Sequence, residues 1–114
     1  MPMIVYERGS VVLVTFVFSD ESGRKLRPAL VISSAAFQRG RKECSIAAIT
    51  SNVKRRLIGD CVVADWTDAG LLFPSTVTGI LRTVDRTMIV RRLGVLSKED
   101  LAGVDRQLRR SLGL

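Results

Sequence analysis

Arg27 stands immediately before Pro28 at the start of the apolar run Ala29-Leu30-Val31-Ile32, and Thr50 ends the run Ile46-Ala47-Ala48-Ile49 and leads into Ser51-Asn52. A guanidinium is permanently cationic and offers paired donors that match two phosphate oxygens. A hydroxyl beside such a cation can orient a phosphate oxygen or an attacking hydroxyl. These residue types suit RNA cleavage by the substrate's own 2′-hydroxyl, because the substrate then brings the nucleophile and the protein supplies only geometry and charge stabilisation. Spacing alone leaves the plainer alternative open, a surface cation entering one strand and a polar residue ending another.

The rest of the inventory narrows the chemistry. The chain has no histidine, which removes the commonest general base, the commonest metal ligand and the Ser/His or Cys/His nucleophile pairs together. It also lacks a Cys-x-x-Cys, a cluster of carboxylates and a Gly-rich phosphate loop before a helix. Metal, dinucleotide and nucleoside triphosphate sites are therefore not expected, and no cofactor is assigned. Cys44 and Cys61 fall in apolar settings and are expected to be reduced, buried thiols. Eighteen Lys and Arg against eleven Asp and Glu give a net charge of +7, a bias toward polyanionic or acidic partners. The clusters Arg24-Lys25-Arg27, Arg39-Arg41-Lys42 and Lys54-Arg55-Arg56 lie in loop-like stretches, from which cationic side chains can reach phosphates.

These residues must be positioned by a small frame. At 114 residues the chain is read as one domain over its whole length, 1–114,. Its longest apolar runs fall well short of the roughly 18 residues of a membrane span, and its N-terminus shows no export signal, so a cytoplasmic protein without a membrane partner is expected. Strands are predicted at Val11–Phe18, Pro28–Ser33, Cys44–Thr50, Asp60–Ala64, Ser75–Leu81 and Met88–Leu93, with a loop over Ser19–Leu26. Short helical turns are predicted at Ser34–Gln38 and Asp65–Leu72. Ser97-Lys98-Glu99-Asp100 resembles a capping box, and Leu101, Val104, Leu108 and Leu112 follow at helical spacing, so a C-terminal helix closes the chain. Several short strands on so short a chain suggest a barrel. Trp66, beside Asp65 and ahead of Ala69-Gly70-Leu71, is expected to pack against that barrel rather than stack on a base.

Six blocks then add what composition does not. Gly9-Ser10-Val11-Val12-Leu13-Val14, Phe16-Val17-Phe18-Ser19-Asp20, Arg27-Pro28-Ala29-Leu30-Val31-Ile32-Ser33, Ala48-Ile49-Thr50-Ser51, Asp65-Trp66 with Ala69-Gly70-Leu71-Leu72-Phe73-Pro74-Ser75, and Leu93-Gly94-Val95-Leu96-Ser97 resemble the successive blocks of the MazF/PemK toxins, in family order. The resemblance implies a mainly β fold, a small SH3-like β-barrel with short helices and a C-terminal helix. It implies a homodimer, a cognate antitoxin protein, and a metal-independent endoribonuclease of a type II toxin–antitoxin system that cuts single-stranded RNA to a cyclic phosphate and a 5′-hydroxyl. It also implies the catalytic residues, since the family's arginine before the strand-initiating proline falls on Arg27 and its threonine at the end of the alanine-isoleucine strand falls on Thr50. Ser51 is a candidate assistant.

Candidate RNA contacts are Ser19, Asp20, Arg24 and Lys25 ahead of Arg27, and Asn52, Lys54 and Arg55 after Thr50. An arginine is a poor proton acceptor at neutral pH, so Arg27 is assigned to charge stabilisation and the general base stays open, with Asp20 or Glu21 as candidates. Val17 stands where many members carry proline, and Thr76 follows Ser75 where valine is frequent; both leave the RNA sequence preference unreadable. Two other readings remain: a gyrase-binding toxin of the CcdB-like class, whose Trp-Gly-Ile ending is replaced here by Ser111-Leu112-Gly113-Leu114, and a non-catalytic RNA-binding barrel.

Overall fold

The computed structural model describes residues 4–17 and 23–114. Ser19, Asp20 and Glu21 lie outside the described residues. Among the described residues six strands form one antiparallel sheet: β1 (Ser10–Val17), β2 (Arg24–Val31), β3 (Glu43–Thr50), β4 (Cys61–Val62), β5 (Thr76–Asp85) and β6 (Ile89–Val95), in the order β4-β5-β3-β2-β1-β6. A short helix α1 (Ala35–Gln38) follows β2, and the C-terminal helix α2 (Lys98–Leu112) packs on β4 and β5. The mainly β class and the closing helix match the sequence expectation.

The strands read as unbroken apolar runs because the sheet is covered on both faces. Val11, Leu30 and Ala47 stand in one row across β1, β2 and β3 and enter a cluster with Val63, Leu71, Leu96 and Val104. Their neighbours Val12, Val14, Ala29, Val31 and Ile46 fill a second cluster on the opposite face, closed by Tyr6, Phe16 and Met88. The sheet curls into a half-barrel. On its open side the turn at Ala69-Gly70 presses against β6: a Cβ on Gly70 would lie 2.2 Å from the Leu93 carbonyl oxygen, and one on Gly94 2.4 Å from that of Ala69. Two backbones meet there with no room for a side chain, which is the physical content of the Ala-Gly and Leu-Gly pairs in the sequence.

Three local details refine the expectations. β2 begins at Arg24, not at Pro28, because Arg24, Lys25 and Leu26 pair with Val17, Phe16 and Thr15 of β1. β2 meets β3 only over Ala29–Val31, so its first half has a single strand neighbour, the setting that tolerates a proline. At 65–72, where a short helical turn was expected, the chain makes successive turns, with bonds from Ala69 N to Asp65 O, Gly70 N to Thr67 O and Leu71 N to Trp66 O; Gly70 at φ +82° stops them from extending into a helix,. Ser97 caps α2 by accepting from Asp100 N at 3.1 Å, but the buried Asp100 carboxylate does not complete a capping box. It accepts instead from Ala64 N and Asp65 N at 3.0 and 2.9 Å, and so ties the helix to the chain after β4.

Buried polar groups fix the remaining loops. Gln38 is fully buried and makes a two-way bond with the Tyr6 backbone, donating to its carbonyl and accepting from its N–H. The Arg86 guanidinium, also buried, donates to the carbonyls of Ile4, Gln38, Arg41 and Lys42. Both cysteines are free. Burial pushes the Cys44 thiol up against the opposing pull of Arg86, and burial pushes up the half-buried Cys61, helped by Asp100 and opposed by Arg106. Among the described residues no helix is long and apolar enough to cross a membrane.

Candidate active site

The register of three strands assembles the site. Ala29 of β2 faces Ala48 of β3, the last pair of their ladder, and just beyond it Arg27 and Thr50 border a common groove. On the other side of β2, Pro28 faces Leu13 of β1, and Leu13 in turn faces Arg91 of β6. Residues directly opposite in a ladder share a face, so Arg91, Leu13 and Pro28 form one row. These positions border a groove of about 700 Å³. Its floor is apolar, made by Leu13, Pro28, Ile49 and Leu71, and its walls carry Arg27, Arg91, Thr50 and Ser51. Leu72 and Phe73 form one rim.

Arg27 is exposed and enters no ion pair among the described residues. Its charge is therefore open to an external anion. Thr50 is half-buried, and its Oγ1 accepts from Asn52 N at 3.1 Å. That bond uses a lone pair and leaves the O–H free to donate. Asn52 Oδ1 accepts in turn from Lys54 N at 3.2 Å, so two linked turns hold the end of β3. Thr50 is also fixed from behind by Thr76 of β5, its ladder partner, which is buried. A fixed hydroxyl donor and a free guanidinium around an apolar floor form a receptor for a phosphate attached to something flat or apolar. Among the described residues no carboxylate lines the groove, and no three Cys, Asp or Glu side chains gather as metal ligands.

The structure thus brings together Arg27, Thr50 and Ser51. Asn52 acts on Thr50 through its backbone, while Lys54 is exposed beyond the groove. Arg24 and Lys25 lie exposed on the outer half of β2, on a strand where a loop was expected. Arg55, assigned to the RNA backbone from its basic cluster, has its Nε on Asp60 at 2.8 Å. Asp60 also accepts from Leu57 N and Gly79 N. Burial pushes its carboxyl up, but the Leu57 N–H, the Arg55 guanidinium and the Gly79 N–H outweigh burial and hold it below the ordinary aspartate value. Trp66 packs against the apolar cluster under α2, as expected. Arg91 was missed. Its signal was the alternation within β6, which puts Arg91 and Leu93 on one face, masked by the adjacent Arg92 that reads as surface charge.

Residues 7–112 match the family described as PemK-like, MazF-like toxin of type II toxin-antitoxin system. The chain belongs to this family. The match takes in every strand and the C-terminal helix. Among solved structures, an endoribonuclease from a mycobacterial species is similar over 100% of this chain and 97% of its own, with TM-score 0.79 and 17% identity. A mycobacterial endoribonuclease in complex with its cognate antitoxin is similar over 96% of each chain, with TM-score 0.76 and 17% identity. A MazE–MazF structure from Deinococcus radiodurans covers 97% of this chain and 98% of its own, with TM-score 0.80 and 22% identity. No curated protein matches the chain by sequence. The backbone of the family is kept while four residues in five differ, which is what a fold specified by apolar pattern and a few glycine contacts allows.

Proposed function

We propose that this protein is the endoribonuclease toxin of a type II toxin–antitoxin pair and cleaves single-stranded RNA in the groove lined by Arg27 and Thr50. The observation that carries the reading is that these two residues line one groove of a MazF-like toxin chain. In the reaction the RNA 2′-oxygen bonds to the adjacent phosphorus as the bond to the 5′-oxygen breaks, giving a cyclic phosphate and a 5′-hydroxyl. The 2′-hydroxyl loses its proton and the departing 5′-oxygen gains one. Arg27 holds the non-bridging oxygens as negative charge grows on them. Thr50 donates its O–H to one of these oxygens and fixes the phosphate for in-line attack. Ser51 assists at the same wall, and Arg91 binds a neighbouring phosphate.

Because the nucleophile comes from the RNA and the charge from arginine, the step needs no metal. Arg24, Lys25 and Lys54 then serve the RNA backbone further out. The toxin acts in the cytoplasm as a homodimer of single-domain chains. An antitoxin occupies the groove with an acidic segment, matched to a chain carrying +7,. The decisive assay incubates purified protein with a long single-stranded transcript in excess chelator. Discrete fragments with cyclic phosphate and 5′-hydroxyl ends are expected, and loss of all cutting under chelation, or intact RNA throughout, overturns the reading.

A further inference from the structure

Phe73 stands at the rim of the groove. It is 64% exposed and belongs to neither apolar cluster. Leu72 beside it is exposed as well, so the two make a contiguous apolar patch at the groove rim, the kind of patch that marks a binding surface,. Yet the Phe73 backbone is tightly held. Leu71 before it and Ser75 after it are buried, and the Ser75 hydroxyl donates to the Phe73 carbonyl at 2.7 Å. Pro74 restricts Phe73 to extended backbone angles. The turn feeding this shelf is locked by the contact of Gly70 with Leu93. Phe73 is therefore a preorganised ring on a short shelf, in a groove that also carries Arg27, Arg91 and Thr50.

We infer that Phe73 is the stacking platform for one nucleobase of the RNA, the base next to the phosphate that Arg27 and Thr50 hold; this rests on the ribonuclease reading. The chemistry of the groove selects this occupant: paired guanidiniums demand an anion, and an exposed ring beside them offers a π face to a flat, apolar group, which together describe a nucleotide. Stacking on a bare ring is tolerant of base identity. Phe73 thus supplies affinity and register, and leaves the choice of sequence to polar contacts elsewhere.

Two measurements test this. In the first, Phe73→Ala, Phe73→Tyr and Phe73→Trp cut the same transcript under steady-state conditions, with melts to confirm folding. KM should rise about tenfold to a hundredfold in Phe73→Ala with kcat within roughly threefold, and both aromatic variants should restore KM. An unchanged KM in Phe73→Ala, or equal loss in all three folded variants, overturns the platform. In the second, Phe73→Trp is titrated with 2′-O-methyl dodecamers of adenosine or uridine and with an abasic dodecamer of equal charge. Fluorescence at the new tryptophan should be quenched by the base-bearing oligomers and not by the abasic one. Equal response to all three overturns the platform even where RNA is cut, whereas base-dependent quenching by a protein that leaves RNA intact retains the platform and removes the nuclease reading.

Discussion

Arg27, midway along β2, and Thr50, the last residue of β3, line the same groove. They are 23 residues apart in the chain, and the stretch between them holds the second half of β2, α1 and all of β3 up to Thr50. What unites them is the register of two strands whose centres are fully buried at Ala29, Leu30 and Ala47. A slip by one residue would exchange the side chains of the two apolar clusters, so core packing fixes the register that places both residues at the groove,.

Arg91 should behave as a binding residue. Removing one phosphate contact to a single strand lowers the slope of log affinity against log salt by about 0.7. We expect Arg91→Ala to show that reduction and a KM raised roughly tenfold, with little change in kcat. Filter binding of a 2′-O-methyl RNA across a salt series checks this, and an unchanged slope would remove Arg91 from the RNA path.

The closure of the half-barrel depends on Gly70. Alanine there would place a methyl 2.2 Å from the Leu93 carbonyl oxygen at φ +82°, so backbone must move. We expect Gly70→Ala to cost at least about 2–3 kcal/mol and to lower Tm by more than about 10 °C. Gly113, also at positive φ but with nothing within 4 Å of an added Cβ, is the control and should cost only about 1 kcal/mol as alanine. Equal melting points for the two variants would contradict the close approach.

The Arg55–Asp60 pair predicts an acid dependence. Asp60 is held below its ordinary value, so its contribution to stability is present above the unfolded aspartate pKa of about 3.9 and is lost as pH falls through the folded value. Asp60→Asn should cost about 1–3 kcal/mol at pH 7, and its melting curve should approach that of the wild type as pH is lowered from 5 to 3. A difference constant over that range would show that Asp60 acts through shape alone.

Much of this was legible in the sequence. The apolar runs at Val11–Val14 and Ala29–Val31 announced strands, and Ser97 announced the start of α2. Three things were not legible. Arg24–Leu26 carry no apolar alternation, because they pair on one side only and face solvent, so β2 looked shorter than it is. Arg55 looked like its neighbours Lys54 and Arg56, and only the fold brings Asp60 and its N–H donors around a common point. Arg86 is indistinguishable from a surface cation until four carbonyls converge on it. Charge reads easily as a total; which charges are consumed by the structure depends on tertiary approach.

The most direct test of the central claim is single-turnover cleavage of one short RNA by the wild type, Arg27→Lys and Thr50→Ala, with thermal melts of all three. Lysine keeps the charge but loses the planar paired donors, and alanine removes the one fixed hydroxyl donor. Each variant should melt close to the wild type, since Arg27 is exposed and Thr50 ends its strand, and each should slow the chemical step by roughly 100-fold or more. Folded variants that cut at the wild-type rate would contradict the assignment of the reaction to this pair.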